Sequence, residues 1–363
     1  MSRNGSVGRR LRRLLLLLPV ILVLWLLALF AQRAGLSRDL VATSLDDCRM
    51  LSGFLGPEDI APDPERGIAY VTRADRFGVT EGGLSPEGGI DLISLTDPEV
   101  PPRSLRPLLP SGFFPHGLDL WIGPDGERRL FVVNHGASGH QHSVEIFAID
   151  AGNALHHVET VRSDLFIDPN DIAATGPRSF YLTNLYGSRS AFGRLLESYL
   201  MLPRADVLLF DGRRARRVVE GLVMANGIVF DKATARVHVA EVIGRRVLSF
   251  ESLPGGTLEK IGAIDLPMGP DNLTLDAEGA IWAAGHPKLL AISARMRDAD
   301  RLSPSEVIRI DPRTGEWKTV WLDDGRMLGA ASVALRWNDR LFIGAVFGDR
   351  VLSCRLGPSA QES

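Results

Sequence analysis

The stretch Asp168-Pro169-Asn170-Asp171-Ile172 places an amide side chain beside a carboxylate where an apolar run begins. Because successive side chains of an extended backbone point to opposite sides, Asn170 and Asp171 can serve two neighbouring sites. Similar polar starts recur elsewhere in the chain, as Glu58-Asp59-Ile60, Asn226-Gly227-Ile228 and Asp271-Asn272-Leu273. Carboxylate and amide oxygens are the ligands of a hard cation, calcium above all. We therefore expect a fold that brings these separated polar starts to one point.

The composition is that of an ordinary globular protein, with 45% hydrophobic and 23% charged residues in a chain of 363. That length is enough for one large domain or two ordinary ones. The first 33 residues hold six Arg and no acidic residue, so the overall net charge of −3 leaves −9 for the remainder. An acidic domain argues against nucleic acid as a partner and is suited to binding a cation.

The N-terminus differs from the rest of the chain. Four Arg between positions 9 and 13 precede an uncharged run, Leu14–Ala31, that is about long enough to cross a bilayer. The positive-inside rule then predicts a transmembrane signal anchor in residues 1–36, with the main domain on the periplasmic or extracytoplasmic side. Secretion after cleavage near Ala28–Ala31 is the alternative, because that sequence is a weak cleavage site. Residues 37–358 would form the main domain and residues 359–363 a tail.

The chain has two cysteines, Cys48 and Cys354, which lie near the two ends of the predicted domain. Outside the cytoplasm the environment is oxidising, so a disulfide between them is the natural prediction. Two unrelated buried thiols are the alternative. A bridge would tie the ends of the domain together.

Short apolar runs separated by Gly, Pro, Asp and Asn dominate the chain after residue 36. They recur as six similar modules, in which a polar residue opens an apolar strand and two further strands follow. The modules start at residues 58, 116, 170, 226, 272 and 332, a spacing typical of a β-propeller. We therefore predict an all-β, six-bladed β-propeller with helical segments near Ala191–Leu202 and Ala291–Asp300. A pair of β-sandwiches is the alternative, but it leaves the regular polar starts unexplained.

The register of these repeats predicts a site assembled from residues far apart in sequence. The first strand of each blade lines the central channel, so the six polar starts should meet at one mouth of that channel. A hairpin returns each second strand to the same mouth. The ends of the second strands should therefore surround the starts, and they are Arg73, His135, Asn184, Glu241, His286 and Phe347.

Two carboxylates and three amides meet in this arrangement, which is enough for the oxygen shell of a cation once waters are added. These residues are Glu58, Asn170, Asn226, Asp271 and Asn272. Asp59 and Asp171 point the other way and could hold a second cation deeper in the channel. Taken singly, each of these residues could instead be a turn residue or a side-chain cap.

Histidines are the candidates for proton transfer. His116 and His135 begin and end one hairpin, so they should face each other near the cation, where one could deprotonate water while the other relays the proton. Two structural histidines bonded to backbone are the alternative. His286 is a third candidate for the wall of the site. The remaining histidines of the loop-like stretches are expected to be solvated: His140, His142, His156 and His157.

Other hydrolytic or cofactor chemistries find no support in the sequence. It contains no Gly-x-Ser-x-Gly elbow, no His-Glu-x-x-His pair, no Gly-rich phosphate loop and no Cys-x-x-Cys pair.

Taken together and in this order, the motifs resemble those of the paraoxonase/arylesterase family. They are Glu58-Asp59, Pro115-His116-Gly117, Val133-Asn134-His135, Pro169-Asn170-Asp171-Ile172, Ala225-Asn226-Gly227-Ile228, Asp271-Asn272 and the Cys48/Cys354 pair. The resemblance runs from about Cys48 to Leu356. It implies a six-bladed propeller with two calcium ions in its channel. It also implies a promiscuous hydrolase of lactones and aryl esters.

The resemblance assigns a role to each matching residue. The catalytic calcium would be held by Glu58, Asn170, Asn226, Asp271 and Asn272, and the structural calcium by Asp59, Asp171 and the carbonyl of Leu118. His116 and His135 match the histidine dyad of the family. Ser332 falls at a substrate-wall position, and His286 and Asn184 are further wall candidates. The loops around Ala191–Pro203 and Ser293–Ser303 look altered, which leaves substrate preference open.

The resulting hypothesis is a calcium-dependent hydrolase of small lactones, including acyl-homoserine lactones, and of aryl esters. The calcium ion would polarise the carbonyl while water activated by His116, with the support of His135, adds to the carbon. In an alternative mechanism, Glu58 or Asp271 is the base or nucleophile. A gluconolactonase-like sugar lactonase and a non-catalytic periplasmic scaffold are the alternative functions.

Overall fold

The computed structural model describes residues 4–77, 88–105, 112–136 and 142–357, with side chains from residue 17 onward. Within these residues it contains six four-stranded antiparallel sheets, arranged as the blades of a propeller. The predicted all-β, six-bladed architecture is therefore confirmed. The predicted tail at residues 359–363 lies outside the described residues, as does His140.

The first strand named in each blade lies beside the channel. The first blade consists of β2 (Ile60–Asp63), β3 (Ile68–Arg73), β4 (Gly89–Ser94) and β5 (Arg103–Leu105). The second blade consists of β6 (Pro115–Ile122), β7 (Arg128–Asn134), β8 (Ser143–Ile149) and β9 (Leu155–Val161). The third blade consists of β10 (Pro169–Ala174), β11 (Phe180–Asn184), β12 (Ala205–Phe210) and β13 (Ala215–Leu222).

The last three blades follow the same order, except that the outermost strand of the sixth blade comes from the N-terminal part of the chain. The fourth blade consists of β14 (Ala225–Asp231), β15 (Arg236–Glu241), β16 (Arg246–Ser252) and β17 (Leu258–Asp265). The fifth blade consists of β18 (Gly269–Leu275), β19 (Ile281–His286), β20 (Ser305–Ile310) and β21 (Trp317–Asp323). The sixth blade consists of β22 (Ala331–Trp337), β23 (Arg340–Ala345), β24 (Arg350–Arg355) and β1 (Asp46–Ser52).

Strand β1 closes the ring by pairing antiparallel with β24, with Met50 opposite Leu352. A disulfide joins Cys48 of β1 to Cys354 of β24 across 306 residues of sequence. The predicted bridge is thus confirmed, and it lies in the sixth blade, where it ties the two ends of the domain together.

Each blade has a fourth strand that the three-strand repeat of the sequence does not include. In β13 the burial alternates weakly, and Arg217, Glu220 and Gly221 are exposed. Half-polar outer strands lack the strong apolar signal of the inner ones, because one of their edges and much of one face meet solvent. The apolar repeat of the sequence therefore predicts the inner three strands of each blade but does not predict the outermost strand.

Helices are few in the described part of the chain. Three are described from end to end, namely α1 (Asn4–Arg33), α2 (Ala191–Leu200) and α3 (Leu289–Arg295). Ser190 caps α2 by accepting a hydrogen bond from the Gly193 N–H, and Met201 ends it in the left-handed conformation. The two helical predictions near residues 191 and 291 thus correspond to helices with slightly different bounds.

The predicted transmembrane anchor is not supported. Although α1 is 30 residues long, no helix among the described residues combines the length and apolar character needed to cross a membrane.

Hydrophobic packing lies between the blades and leaves the centre of the ring to polar residues. Six buried clusters occupy the six interfaces between neighbouring blades. In the interface of the fifth and sixth blades, Trp282 and Trp321 pack with Leu341 and Leu352. Because each cluster joins two sheets face to face, the channel can hold buried polar groups without interrupting a continuous core.

The polar starts coincide with irregularities of the innermost strands. The ladder register shifts between Pro169 and Ile172, and equivalent shifts occur at the starts of β6, β14, β18 and β22. A β-bulge releases residues from strand pairing and re-aims their side chains. The sequence motif with a polar pair before an apolar run is therefore the signature of a bulge that turns two side chains toward the channel.

Candidate active site

Five buried residues from four blades converge at one mouth of the channel, as the repeat register predicts. Their exposed fractions are between 1% and 7%, and they are Glu58, Asn170, Asn226, Asp271 and Asn272. Four side-chain oxygens of this set are buried without a hydrogen-bond partner, namely Glu58 Oε2, Asn170 Oδ1, Asn226 Oδ1 and Asn272 Oδ1. Leaving buried acceptors unpaired is costly, so such a cluster indicates a cation site. We call these five residues the upper site.

Contacts between the first, fifth and sixth blades fix the upper site. Asn272 Nδ2 donates to Glu58 Oε1 at 2.8 Å and to the Glu58 carbonyl at 3.2 Å. Ser332 Oγ donates to the same carbonyl at 2.6 Å. Burial raises the pKa of Glu58, while Arg76 and Asn272 oppose that shift. A cation between these oxygens would favour the ionised carboxylate for the same reason that a neighbouring guanidinium does.

A histidine orients the second carboxylate of the upper site. His286 Nε2 and Asp271 Oδ2 are 2.9 Å apart, and both residues are buried. His286 also lies on the wall of the cavity above the upper site. It can therefore set the position of Asp271 and contact a bound molecule.

The two predicted histidines lie together beside the upper site. The ring centroids of His116 and His135 are 5.0 Å apart, and His116 Nδ1 is 3.7 Å from Glu58 Oε2. His116 Nδ1 lies 3.1 Å from the Asn170 carbonyl. Because a carbonyl only accepts, Nδ1 carries the proton in that hydrogen bond and Nε2 keeps a lone pair.

Burial keeps both imidazoles neutral. It lowers the pKa of His116 to about 3, with Arg76 contributing in the same direction. It also lowers the pKa of His135 well below the usual value, helped by His116, while a hydrogen bond with the Pro169 backbone opposes the shift. Both imidazoles are therefore unprotonated at pH 7, which is the protonation state a general base needs, while so low a pKa makes the isolated imidazole a weak base.

Arg76 is a site residue that the sequence pattern does not reveal. Its guanidinium is 3.8 Å from Glu58 Oε2 and donates to the carbonyls of Gly56 and Pro115. It follows β3 by three residues, outside any strand start or strand end. No repeat position marks it, so a pattern based on strand register misses this residue.

A second polar layer, which we call the lower site, lies deeper in the channel. Asp59 Oδ2 accepts a hydrogen bond from the Leu118 N–H at 2.8 Å, and Asp171 Oδ2 accepts one from the Ile228 N–H at 2.7 Å. Each carboxylate thereby links the innermost strand of one blade to that of the next. Burial raises the pKa of both acids well above the usual value, and each feels a further carboxylate, Glu58 or Asp59.

Glycine permits the close approach of these strands. A Cβ at position 117 would lie 2.4 Å from Asp171 Oδ1 and 2.6 Å from the Asp171 Cα. At position 227 it would lie 2.5 Å from the Asp271 carbonyl. Gly117 and Gly227 thus allow inner strands to sit close enough for their polar starts to share one channel.

The lower site also borders a small cavity of about 190 Å³, lined in part by Asp59, Leu118, Asp119 and Asp171. Two buried carboxylates that face each other without a basic partner among the described hydrogen bonds repel, and a cation would relieve that repulsion. The donor chemistry of both sites therefore fits calcium, a hard cation that binds carboxylate, amide and carbonyl oxygens.

An apolar cavity of about 440 Å³ stands over the upper site. Its floor includes Glu58, Asn170, Asn226 and Asp271, and much of its wall is aliphatic or aromatic. The end of α1 reaches this wall, where Phe30 stacks on Tyr199 of α2 with ring centroids 5.6 Å apart. A deep apolar pocket with convergent polar groups at its floor is the usual form of a small-molecule site.

Two of the three predicted wall residues lie away from this cavity. Ser332 and Asn184 are fully buried, and neither is among the described residues that line it. The side chain of Asn184 instead fixes the chain just before β10, because its Oδ1 accepts hydrogen bonds from the N–H groups of Ile167 and Asp168. Strand register predicts which residues lie at the mouth of the channel. It does not predict whether their side chains face the cavity or bond to the backbone around it.

One of the histidines expected in solvent is buried. His142 is 8% exposed, and its ring lies edge-on to that of His135, with centroids 4.9 Å apart. His156 is exposed, as expected, and lies 2.9 Å from Asp150 Oδ2. His157 is partly shielded by a contact with Glu145. The expectation was wrong for His142 because the residue ends its loop at the mouth of the channel.

Together, the ring of six blades and the polar floor of its channel define a propeller whose small-molecule site is built from several blades. A family model described as arylesterase matches residues 103–356. The chain belongs to the paraoxonase/arylesterase family.

Curated relatives agree with this assignment across most of the chain. Serum paraoxonase/arylesterase 2 of Rattus norvegicus is 32% identical over 336 residues, covering 89% of this chain and 93% of the relative. The human protein of the same name shows the same identity and coverage. Serum paraoxonase/arylesterase 1 of Rattus norvegicus is 29% identical, covering 90% and 94%.

Solved structures show the same fold at much lower identity. A periplasmic gluconolactonase of Pseudomonas aeruginosa has a TM-score of 0.50 at 12% identity, with 86% of this chain and 97% of that chain covered. Regucalcin, a calcium-binding protein of Agrobacterium tumefaciens, has a TM-score of 0.50 at 14% identity, with 87% and 93% covered. At such identities the likeness concerns the architecture alone.

Proposed function

We propose that this protein is a calcium-dependent hydrolase that opens lactones and cleaves aryl esters in the cavity above the upper site. The observation that carries the proposal is the set of buried, unpartnered oxygens beside a neutral histidine at the floor of an apolar cavity. Membership of the paraoxonase/arylesterase family supports the same class of reaction.

The upper site would hold the calcium ion that takes part in the reaction, through Glu58, Asn170, Asn226, Asp271 and Asn272. When bound there, calcium supplies positive charge near the carbonyl oxygen of the substrate, where negative charge develops. The lower site would hold a second, structural ion through Asp59, Asp171 and the Leu118 carbonyl. Its place between the inner strands of successive blades supports a role in stability.

His116 would act as the general base. Its Nδ1 donates to the Asn170 carbonyl, so Nε2 is free to accept a proton from water as the water oxygen adds to the carbonyl carbon. The ring C–O bond then breaks, and the leaving alkoxide takes up a proton, which gives a hydroxy acid. His135 packs beside His116, with ring centroids 5.0 Å apart, and would relay the proton through an intervening water.

The carboxylates of the upper site offer the other mechanism. Glu58 Oε2 is buried without a hydrogen-bond partner and lies 3.7 Å from His116 Nδ1. With a cation bound, Glu58 and Asp271 would be engaged as ligands, which favours His116 as the base. The two mechanisms differ in which substitution abolishes proton transfer.

The walls of the cavity bear on the choice among lactones. Leu185, Val242, Ile243, Leu289 and Val346 present aliphatic surface there. Such a wall favours lactones that carry an acyl tail, among them acyl-homoserine lactones, over the polar substrates of a sugar lactonase. The disulfide supports action in an oxidising, extracytoplasmic compartment.

A substrate series tests the proposal. We would measure hydrolysis of γ-lactones with tails of increasing length, of gluconolactone and of phenyl acetate, each with calcium and after chelation. We expect calcium-dependent activity that rises with tail length. Preference for gluconolactone would favour the sugar lactonase, and no hydrolysis of any member would favour a non-catalytic scaffold.

A further inference from the structure

A cluster of three side chains with potential metal ligands shares His135 with the histidine pair and lies outside both proposed calcium sites. It consists of His135, His142 and Asp168, each offering a ligand atom, and these atoms all lie within 4.8 Å of one another. His135 follows β7, His142 precedes β8 and Asp168 precedes β10. The second and third blades therefore supply the cluster together.

Contacts with its surroundings hold the cluster in place. His142 is 8% and Asp168 7% exposed, and the rings of His135 and His142 meet edge to face at 85°. The backbone N–H of Asp168 donates to Asn184 Oδ1 at 3.0 Å, and Asn184 Nδ2 in turn donates to Asp206 Oδ1 at 2.7 Å. Hydrogen bonds to the residues that carry the ligand atoms hold those residues in position for a metal.

The ligand chemistry separates this cluster from the calcium sites. Calcium takes oxygen ligands, whereas imidazole nitrogen favours zinc and its neighbours in the first transition row. Two histidines and one carboxylate, with one position left for water, form a common zinc-binding set. We propose that His135, His142 and Asp168 bind a zinc ion.

Arg194 sets a limit on the affinity. Its Nη1 lies 3.2 Å from Asp168 Oδ1. The guanidinium uses one oxygen of the carboxylate and offsets part of its charge, so zinc binds less tightly than at a site with a free carboxylate. The second carboxylate oxygen, Oδ2, takes part in no hydrogen bond or ion pair among the residues that the structure describes.

Zinc at this cluster would inhibit hydrolysis, a consequence that rests on the proposed function of His135. The Nε2 atom of His135 is buried and has no hydrogen-bond partner. A histidine whose lone pair binds zinc cannot receive a proton from His116. Zinc would therefore stop the relay while calcium stays in the upper site.

Direct titration tests the site without relying on activity. Zinc chloride is added to the calcium-loaded protein in excess calcium, and bound zinc is measured by calorimetry together with any calcium released. We expect one zinc ion per chain and no loss of calcium. His142→Phe keeps a ring against His135 but removes a ligand. It should weaken zinc binding by more than the roughly 10–100-fold that loss of an outer-shell partner costs.

Two further variants make the test specific. His156→Phe removes the exposed histidine that pairs with Asp150 and should bind zinc as the parent does. Asp168→Asn removes the charged ligand and should also weaken binding, which gives a second reading should His142→Phe fail to fold. Absence of zinc binding, or equal binding by the parent, His142→Phe and Asp168→Asn, overturns the proposal.

The ratio of activity with and without zinc is then compared within each variant. We expect a large fall in the parent and a ratio near one in His142→Phe. If the parent binds zinc through this cluster and its hydrolysis is unaffected, the site stands and the relay role of His135 fails. A protein without lactonase activity would still give the binding result, so the two hypotheses fail separately.

Discussion

The upper and lower sites use their side-chain oxygens in opposite ways. In the upper site, oxygens of Glu58, Asn170 and Asn226 are buried without a hydrogen-bond partner. In the lower site, both oxygens of Asp59 and of Asp171 accept hydrogen bonds from backbone N–H groups. The upper site thus leaves buried acceptors that a cation would satisfy, whereas the lower site already contributes to the contact between blades.

This difference teaches how one motif can serve reaction and stability together. The polar pair at a bulge sends one side chain toward the cavity and the next toward the strand of the neighbouring blade. Asn170 and Asp171 are adjacent in sequence, yet the first has an unpartnered oxygen and the second bonds to Ile228. A substitution at either position should therefore give a different kind of defect.

Removal of calcium should have the largest effect, because both sites would lose their ion at once. We expect chelation to abolish hydrolysis and to lower the unfolding temperature, since a ligand that binds the folded state alone stabilises it. Activity assays and thermal unfolding on the same samples, followed by calcium re-addition, measure both. A chelated protein that stays active and equally stable would contradict calcium at either site.

His116→Gln should have the next largest effect, confined to the reaction. Glutamine cannot exchange a proton near neutral pH, so lactone hydrolysis should slow by about 10²–10⁴-fold while calcium affinity changes little. Aryl esters with good leaving groups should suffer less. Parallel kinetics and calcium titrations on His156→Gln, an exposed histidine, provide the control. Lactone hydrolysis near the parent rate would make Glu58 or Asp271 the better candidate for the base.

The comparison is sharpest when one residue of each site is truncated. Asn226→Ala removes an unpartnered oxygen and should weaken calcium binding and activity for every substrate, with little change in the stability of the calcium-free protein. Asp171→Ala leaves the Ile172 and Ile228 N–H groups unpaired, at a cost of about 1–3 kcal/mol each. It should therefore destabilise even the calcium-free protein. Denaturant unfolding with and without calcium distinguishes the two, and identical profiles would remove the distinction.

The smallest expected effect comes from a buried histidine outside the channel. His238 of β15 is 1% exposed, and burial lowers its pKa to about 4. The unfolded chain gains a proton below its pKa of about 6.5, while the folded chain does not until about 4, so stability falls as pH falls between these values. His238→Gln should lose less stability over that interval, by roughly 1–3 kcal/mol. Denaturant unfolding at pH 7 and pH 5 checks this, and an unchanged pH dependence would contradict it.

The sequence predicts the fold well because its strongest signals are repeated. Six polar starts before apolar strands give the number of blades, and the second-strand ends place His135 and His286 at the same mouth. The distant residues of the upper site follow from register, since strands of equal length begin and end at the same level. Resemblance to the family adds roles that register alone does not give.

The parts that escape prediction depend on contacts outside the repeat. Arg76 lies in a connection after β3, and only packing against Glu58 shows its role. Ser332 and Asn184 occupy the expected level but turn to backbone partners, because the direction of a side chain at a bulge is set by its neighbours. His142 was expected in solvent because a loop sequence does not show which blade covers it.

Closure of the ring by β1 and β24 sets the order in which the enzyme can mature. Both ends of the propeller lie in one blade, and the last blade also supplies Ser332, which holds the Glu58 carbonyl. A ribosome must therefore release nearly the entire chain before the first and last blades can meet. Until then the Glu58 carbonyl lacks the hydrogen bond that Ser332 donates, so the upper site is not fully supported in a nascent or truncated chain. Completion of the upper site is thus expected late in folding, because it needs the two ends of the propeller that the Cys48–Cys354 disulfide joins.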